Sequence, residues 1–508
     1  MKNLIKGAAA AVIKAFARMA AGFNHIFRHD GSADNPAGRG TANPARPRRR
    51  LVDGVDADRF TVLCAVLVVG FVTLIGAILL TAALRSGGRQ IPLPQESGSQ
   101  SADGFTLSLG GSIMPSQDMM DSAKTESGYN FHNYLSELSG TMTGDITIAG
   151  LSGQIDAYGQ NEALGGFTNG RNYPRELAQA LALTGVKYVC GANTHAFANG
   201  YDGMCASVTH LHTQSIGVIG LTNNDPRKLN TTVVRAGGVG VGIAGYNCVE
   251  SPKWQELTEE QKTYIAQVER DADVLAERAA ADIAVMRASG AEFIILCVSW
   301  GGGTSLAPDA FIRDAAAKLV EAGADVVVGY GPWITMETQV IPRQSGGAEK
   351  DCYVFYSLGM LFGDGQYTDK TAAALSKSPT LTDAQKKQLA DKTKYAASVN
   401  QAMARSMTVD LKVTRAKNGT VRIESAVCEP IFTVKNTAQG EENAYLKYMA
   451  VRAAQYVAAE ERPAIFADDR QWQLCREAYT AICELAAKTD GKLIPAGGDT
   501  NEETDVKL

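Results

Sequence analysis

From Thr61 to Leu84 the chain reads TVLCAVLVVGFVTLIGAILLTAAL, with no charged residue. This stretch exceeds the ~20 apolar residues that a helix needs to cross a bilayer. A secretory leader carries a shorter apolar run nearer the N-terminus, so the pattern predicts an uncleaved transmembrane helix. Arg46, Arg48, Arg49, Arg50 and Arg59 precede it, and only Arg85 and Arg89 follow closely. Positive charge is retained on the cytoplasmic side. Residues 1–60 are therefore expected in the cytoplasm and everything after Arg85 outside, in a single-pass plasma-membrane protein. Ile5, Val12, Phe16, Met19, Phe23 and Ile26 recur at helical spacing with Lys6, Lys14 and Arg18 between them. They predict a basic amphipathic helix that lies on anionic lipid or pairs with a partner helix. The bland alternative is a weakly ordered tail with accidental periodicity. Residues 30–50, rich in Gly, Pro and Arg, and residues 85–104 read as tethers on either side of the membrane.

Composition bounds the rest. With 508 residues and 45% hydrophobic content the chain has material for one large domain or two ordinary ones. A net charge of −5 supplies no basic face for nucleic acid. Nine cysteines, scattered without a CxxC pair, argue against a structural zinc site; the eight beyond Cys64 permit disulfides outside the cell without specifying a pairing, and buried unpaired thiols are the bland alternative.

Beyond Gly104, apolar runs of strand length alternate with helical patterns. Strands are predicted at 105–109, 145–149, 187–190, 216–221, 240–244, 293–299, 325–329 and 353–358. Helices are predicted at 175–183, 259–289 and 308–322. A hairpin around Lys417-Asn418-Gly419 joins two late strands. Residues 366–405 read as a polar helical insertion and 441–488 as a helical pair. The alternation gives an α/β class with much parallel pairing, in a domain over 105–435 that the segment 436–508 closes.

Few residues outside the membrane can carry chemistry. Gly240–Gly245 fits GxGxxG, but the following Tyr246–Pro252 is a poor helix start, so the run reads as a glycine-rich strand. Ser112 in LSLGGSIM could be a nucleophile at a strand end, yet a serine hydrolase needs a base in reach, and a capping role is the simpler reading. His210 and His212 stand two apart on a helical stretch and project differently. Asn193 and His195 share one loop after a strand and could give two ligands, fewer than the three that a catalytic metal generally requires. In GADVVVGYGPWIT a buried strand ends at Tyr330, Gly331, Pro332 and Trp333, where an α/β sheet usually places its ligands.

Taken in order, these segments resemble the CapA family of capsule and poly-γ-glutamate assembly proteins, whose fold is like that of calcineurin-type metallophosphatases. LSLGGSIM echoes the family's "LTLVGDIM", Gly150-Leu151-Ser152-Gly153 its "NLEG", and Ala192 to Gly200 its "ANNHxxDxG". Ser299-Trp300-Gly301-Gly302-Gly303 echoes "HWGxE", GADVVVGYGPW echoes "GADxVIGHHPH", and Tyr356-Ser357-Leu358-Gly359 echoes "YSLGNF". The resemblance implies a metallophosphatase-like layered α/β sandwich. It also locates departures. Gly111 is taken to stand for the family's first aspartate, Gly150 and Ser152 for its asparagine and glutamate, and Thr194 and Ala198 for an asparagine and an aspartate. Ser299, Tyr330, Gly331 and Trp333 stand for histidines and Gly303 for a glutamate. Only Asn193 and His195 survive among the polar positions.

The framework is kept while the ionisable groups are lost, so no metal cofactor is expected: paired cations need compensating anions. The expectation is a non-catalytic protein that holds an anionic cell-surface polymer, or its synthesis and export proteins, near the membrane. Trp300, Tyr330, Trp333, Asn193 and His195 would line the binding cleft, unless the aromatics only fill vacated volume. The alternative is a phosphoesterase or polymer hydrolase with a divalent metal or a rearranged site. That enzyme would use Asn193, Asp202, Asp364 and His195, with His195 as general base.

Overall fold

Val- and Ile-rich runs flanked by glycine become the strands, and the amphipathic segments between them become helices. The computed structural model describes residues 103–156, 172–436 and 447–497, together with 50–52 and 55–56, leaving out single positions 231, 304, 346, 366, 368, 369 and 379. The chain divides into two units, Met1–Gln90 and Ile91–Leu508. In the first, Arg50–Val52 pairs antiparallel with Val55–Asp56. The predicted N-terminal helix and the run from Thr61 to Leu84 lie outside the described residues. Among the described residues no helix is long and apolar enough to cross a membrane.

In the second unit the strands are β1 (Gly104–Met114), β2 (Ile146–Leu151), β3 (Tyr188–Cys190), β4 (Gly217–Ile219) and β5 (Thr232–Ala236). Then come β6 (Val239–Asn247), β7 (Phe293–Gly303), β8 (Val326–Pro332), β9 (Thr338–Ser345) and β10 (Ala348–Phe355). The series closes with β11 (Met360–Gly363), β12 (Arg405–Arg415), β13 (Val421–Lys435) and β14 (Tyr448–Arg452). The longer helices are α1 (Glu176–Thr184), α2 (Gly200–Thr213), α3 (Ala272–Ala288), α4 (Ala310–Ala322), α5 (Asp383–Met403) and α6 (Asp469–Ala487).

Two sheets face each other. The first has the order β4-β3-β2-β1-β12-β13-β14, parallel from β4 to β1 and antiparallel beyond, with β11 alongside β1. The second has the order β5-β6-β7-β8-β10-β9, with β6, β7, β8 and β10 parallel. Their inner faces share one core, in which Leu107, Leu109 and Ile148 meet Ile243, Ile295 and Val328. Helices α3 and α4 cover the outer face of the second sheet, and α1 covers that of the first. The result is a layered α/β fold: the alternating pattern predicts its α/β class and parallel pairing, and the resemblance its layering.

Asp325 anchors the start of β8. It is 2% exposed, pairs with Arg343 at 2.7 Å and Lys350 at 2.5 Å, and accepts from the Ile294 amide at 2.9 Å. Because both cations come from the β9–β10 hairpin, one buried carboxylate fixes that hairpin against the parallel strands. Such a group is tolerated only because it is fully paired.

Three expectations change. Residues 259–289 are not one helix: Thr258 forms a capping box on a short helix, Glu259–Lys262, and α3 starts afresh at the Asp271 cap. The first member of the 441–488 pair is mostly the strand β14, which extends the first sheet beside β13 before α6 packs. Ser112 caps nothing; it lies inside β1, and Ser116 caps the following short helix. Within 366–405, α5 buries Val399, Ala402 and Met403 against Met114, Ile334 and Met360.

Candidate functional site

The parallel strands of both sheets run their carboxyl ends to one place. There β1, β2 and β3 of the first sheet meet β7 and β8 of the second around a cavity of ≈ 60 Å³. Its wall includes Ser112, Ser152, Thr194, His195, Ser299, Tyr330 and Trp333, backed by Leu151, Cys190, Ala192 and Asn193. Pairing sets these positions: Ser112 lies opposite Gly150 across β1–β2, and Ser299 lies opposite Tyr330 across β7–β8.

The serine of LSLGGSIM, and not the glycine before it, therefore faces the site. A side chain on Gly111 would run into the backbone of Gly359. Ser112, rather than Gly111, occupies the place the resemblance gives to an aspartate.

Tyr330 is 4% exposed and lies between the sheets, its ring against Gly150. A Cβ on Gly150 would fall inside the ring's contact distance, at 2.7 Å from two of its carbons and closer to a third. So tyrosine at 330 and glycine at 150 require each other. The buried phenol oxygen has no hydrogen-bond partner among the described residues, and burial holds its pKa well above the usual value. Close enough to act on it electrostatically, the Cys297 thiol is raised well above its usual value by its hydrogen bond with Cys190 and by burial.

Asn193 is spent on architecture. Its Oδ1 accepts from the amides of Gly153 at 3.1 Å and His195 at 2.8 Å, and its Nδ2 donates to the Gly191 carbonyl at 2.9 Å. It ties the loop after β2 to the loop after β3 and holds half-buried His195 on the wall. Trp333 is half-buried on the wall and also packs against the cluster that holds the α5 insertion.

Trp300 departs from the expectation. Neighbouring strand residues face opposite sides, so with Ser299 turned inward Trp300 turns outward into the helix layer. It is 1% exposed, stacks edge-on against Phe311 and donates its indole N–H to the Tyr356 carbonyl at 3.1 Å. It is core. Asp202 stands exposed in the first turn of α2, and Asp364 pairs with Lys435; neither lines the cavity. The rearranged catalytic set around His195 is not assembled.

The wall holds one imidazole and no carboxylate, and among the described residues no three His, Cys, Asp or Glu side chains gather as a metal-holding group. That donor set does not fit a pair of divalent cations, which takes several anionic ligands. Instead Ser112, Ser152, Thr194 and Ser299 stand where the resemblance places acidic, amide or imidazole groups. Sequence reading marked the losses at Ser152, Thr194 and Ser299 one by one and placed the first at Gly111 instead of Ser112. It did not show that they converge as a ring of hydroxyls.

Residues 106–364, about half of the chain, match the family described as bacterial capsule synthesis protein PGA_cap. The chain belongs to this family. The PGA_cap match spans every strand end that forms the cavity and stops at Asp364, before the helical insertion. Among solved structures, the NAD nucleotidase NadN of Haemophilus influenzae is similar at 11% identity and a TM-score of 0.32. The likeness covers 76% of this PGA_cap chain and 68% of that one; at that level it carries no argument about chemistry. No curated protein matches the chain.

Proposed function

We propose that this protein is a membrane-anchored, extracytoplasmic PGA_cap member that binds or scaffolds a cell-surface polymer of capsule or poly-γ-glutamate type, or the machinery that exports it, without cleaving it. The observation that carries the reading is the strand-end cavity, where family framework glycines surround hydroxyls and an aromatic ring in place of acids and imidazoles. A wall without a carboxylate or a metal donor set has the means to recognise a group but lacks the usual means to activate water. The uncharged run from Thr61 to Leu84 supplies the anchor.

The test uses the full chain in detergent micelles, purified with manganese, iron and zinc supplied. The expected result is less than stoichiometric metal, phosphodiester turnover equal in wild type and His195→Ala, and co-purification of polymer with membranes. Stoichiometric metal that depends on His195, or turnover lost in His195→Ala, overturns the reading in favour of a hydrolase. Protease added to intact cells is expected to remove the unit after Arg85 and spare an N-terminal tag.

A further inference from the structure

We infer that the strand-end cavity is a binding site for the hydroxyl-bearing edge of an uncharged sugar unit, which narrows the polymer from a polypeptide to a polysaccharide. This inference rests on the binding reading above. Ser112, Ser152, Thr194 and Ser299 make no side-chain hydrogen bond to a described residue, although all four line one cavity. The Tyr330 hydroxyl, fully enclosed behind the wall, has no partner among the described residues either. The four wall hydroxyls are not spent within the fold, and their concentration in one place marks a site that a ligand can engage.

The chemistry of the wall selects the ligand. An apolar group would leave every hydroxyl unmet. A carboxylate or phosphate would lose its hydration to a wall that carries no Lys or Arg. A divalent cation finds no carboxylate. Each Ser, Thr or Tyr hydroxyl both donates and accepts, which is also the pattern a sugar hydroxyl presents. Half-buried Trp333 adds an aromatic face and an indole N–H against which a sugar ring can lie. The cavity, ≈ 60 Å³ and partly open, receives the hydroxyl-bearing edge.

The experiment titrates the full chain in detergent with neutral hexasaccharides of glucose, galactose and mannose, and separately with γ-linked glutamate hexapeptide. Binding is read by calorimetry and by tryptophan emission. At least one hexasaccharide is expected to bind and to shift the emission, with the shift lost in Trp333→Phe. Ser112→Ala and Ser299→Ala are each expected to weaken that affinity about twofold to tenfold, the range of one neutral hydrogen bond. If the glutamate peptide binds with the same dependence on Ser112 and Ser299, the sugar assignment is wrong and the binding function stands. If no hexasaccharide binds, or both alanine variants bind it as wild type does, the cavity is not the site, even where the protein still captures polymer from membranes. Sugar binding by a protein that also turns over phosphodiester through His195 keeps the site and overturns the non-catalytic reading.

Discussion

Replacing Gly150 with alanine should act on the protein almost entirely through Tyr330. Gly150 is in β2 and Tyr330 in β8, on opposing sheets, and a Cβ at 150 would stand 2.7 Å or less from three ring carbons. Carbon atoms prefer about 3.5–4.0 Å, so the methyl intrudes by close to 1 Å on a ring that is 4% exposed. Overpacking of this kind costs about 1–3 kcal/mol. Tyr330→Ala alone loses about 3–5 kcal/mol of packing, offset by about 1–3 kcal/mol from removing a buried hydroxyl without a partner. In the double variant the ring is gone, the methyl has room, and the first cost disappears. The coupling energy should therefore be about 1–3 kcal/mol in the direction of relief. Urea unfolding of the full chain in micelles, followed by tryptophan emission for all four proteins of the cycle, measures it. Additivity to within about 0.5 kcal/mol, the behaviour of distant sites, would refute the contact and the exchange of side chains inferred from it.

Four further outcomes follow from the same structure. Tyr330→Phe should be neutral or raise stability by about 1–2 kcal/mol in the ligand-free protein, because it deletes a buried unsatisfied oxygen; a loss of more than 1 kcal/mol would mean the hydroxyl is already bonded. Asp325→Asn leaves Arg343 and Lys350 without their shared anion and should cost about 3–5 kcal/mol, seen as a lowered Tm or a failure to fold, whereas a change below 1 kcal/mol would contradict the anchoring role. Burial holds the Asp410 carboxyl above its usual range against the opposing Ser108 hydrogen bond and Arg452. Its native form therefore binds the proton more tightly than the unfolded chain. The stability it contributes is complete below about pH 4 and lost as pH rises through the native value; Asp410→Asn should flatten that decline in Tm, and an unchanged pH profile would count against it. Ser112→Asp should destabilise by about 1–3 kcal/mol at neutral pH and recover on acidification, unless added manganese restores Tm, which would reveal donors on the wall beyond those described.

Much of the frame was legible because it depends on local pattern. The apolar runs at 293–299 and 325–329, the helix over 308–322 and the hairpin turn at Gly419, where φ is +85°, are each decided by a few neighbouring residues. Failures came where an unread local signal or a distant partner decides. Thr258 and Asp271 each start a helix of their own, so periodicity across 259–289 misleads. β14 is a strand because β13 offers it an edge, which nothing within Tyr448–Arg452 announces. The placing of Trp300 was within reach: alternation from Ser299 turns it outward, but proximity to a glycine-rich strand end suggested the cleft. The cations on Asp325 and the ring over Gly150 are contacts between separate elements, and no spacing in one sequence reveals them.

The hydroxyl ring also explains why the departures come as a set. In a metal-bearing cleft each carboxylate is tolerated because cations compensate it. On the reading proposed above, in which no cations are held, any single acid left at these strand ends faces a desolvation cost without an opposite charge. Partial loss is then the least stable arrangement, and physical chemistry drives the remaining acids toward small neutral groups. Serine and threonine meet that need while keeping the capacity to donate and accept. Alanine would have met it equally well for stability. On that reading, the absence of metal alone does not account for hydroxyls rather than methyls at 112, 152, 194 and 299. It points to retained hydrogen bonding, directed at something the cavity receives.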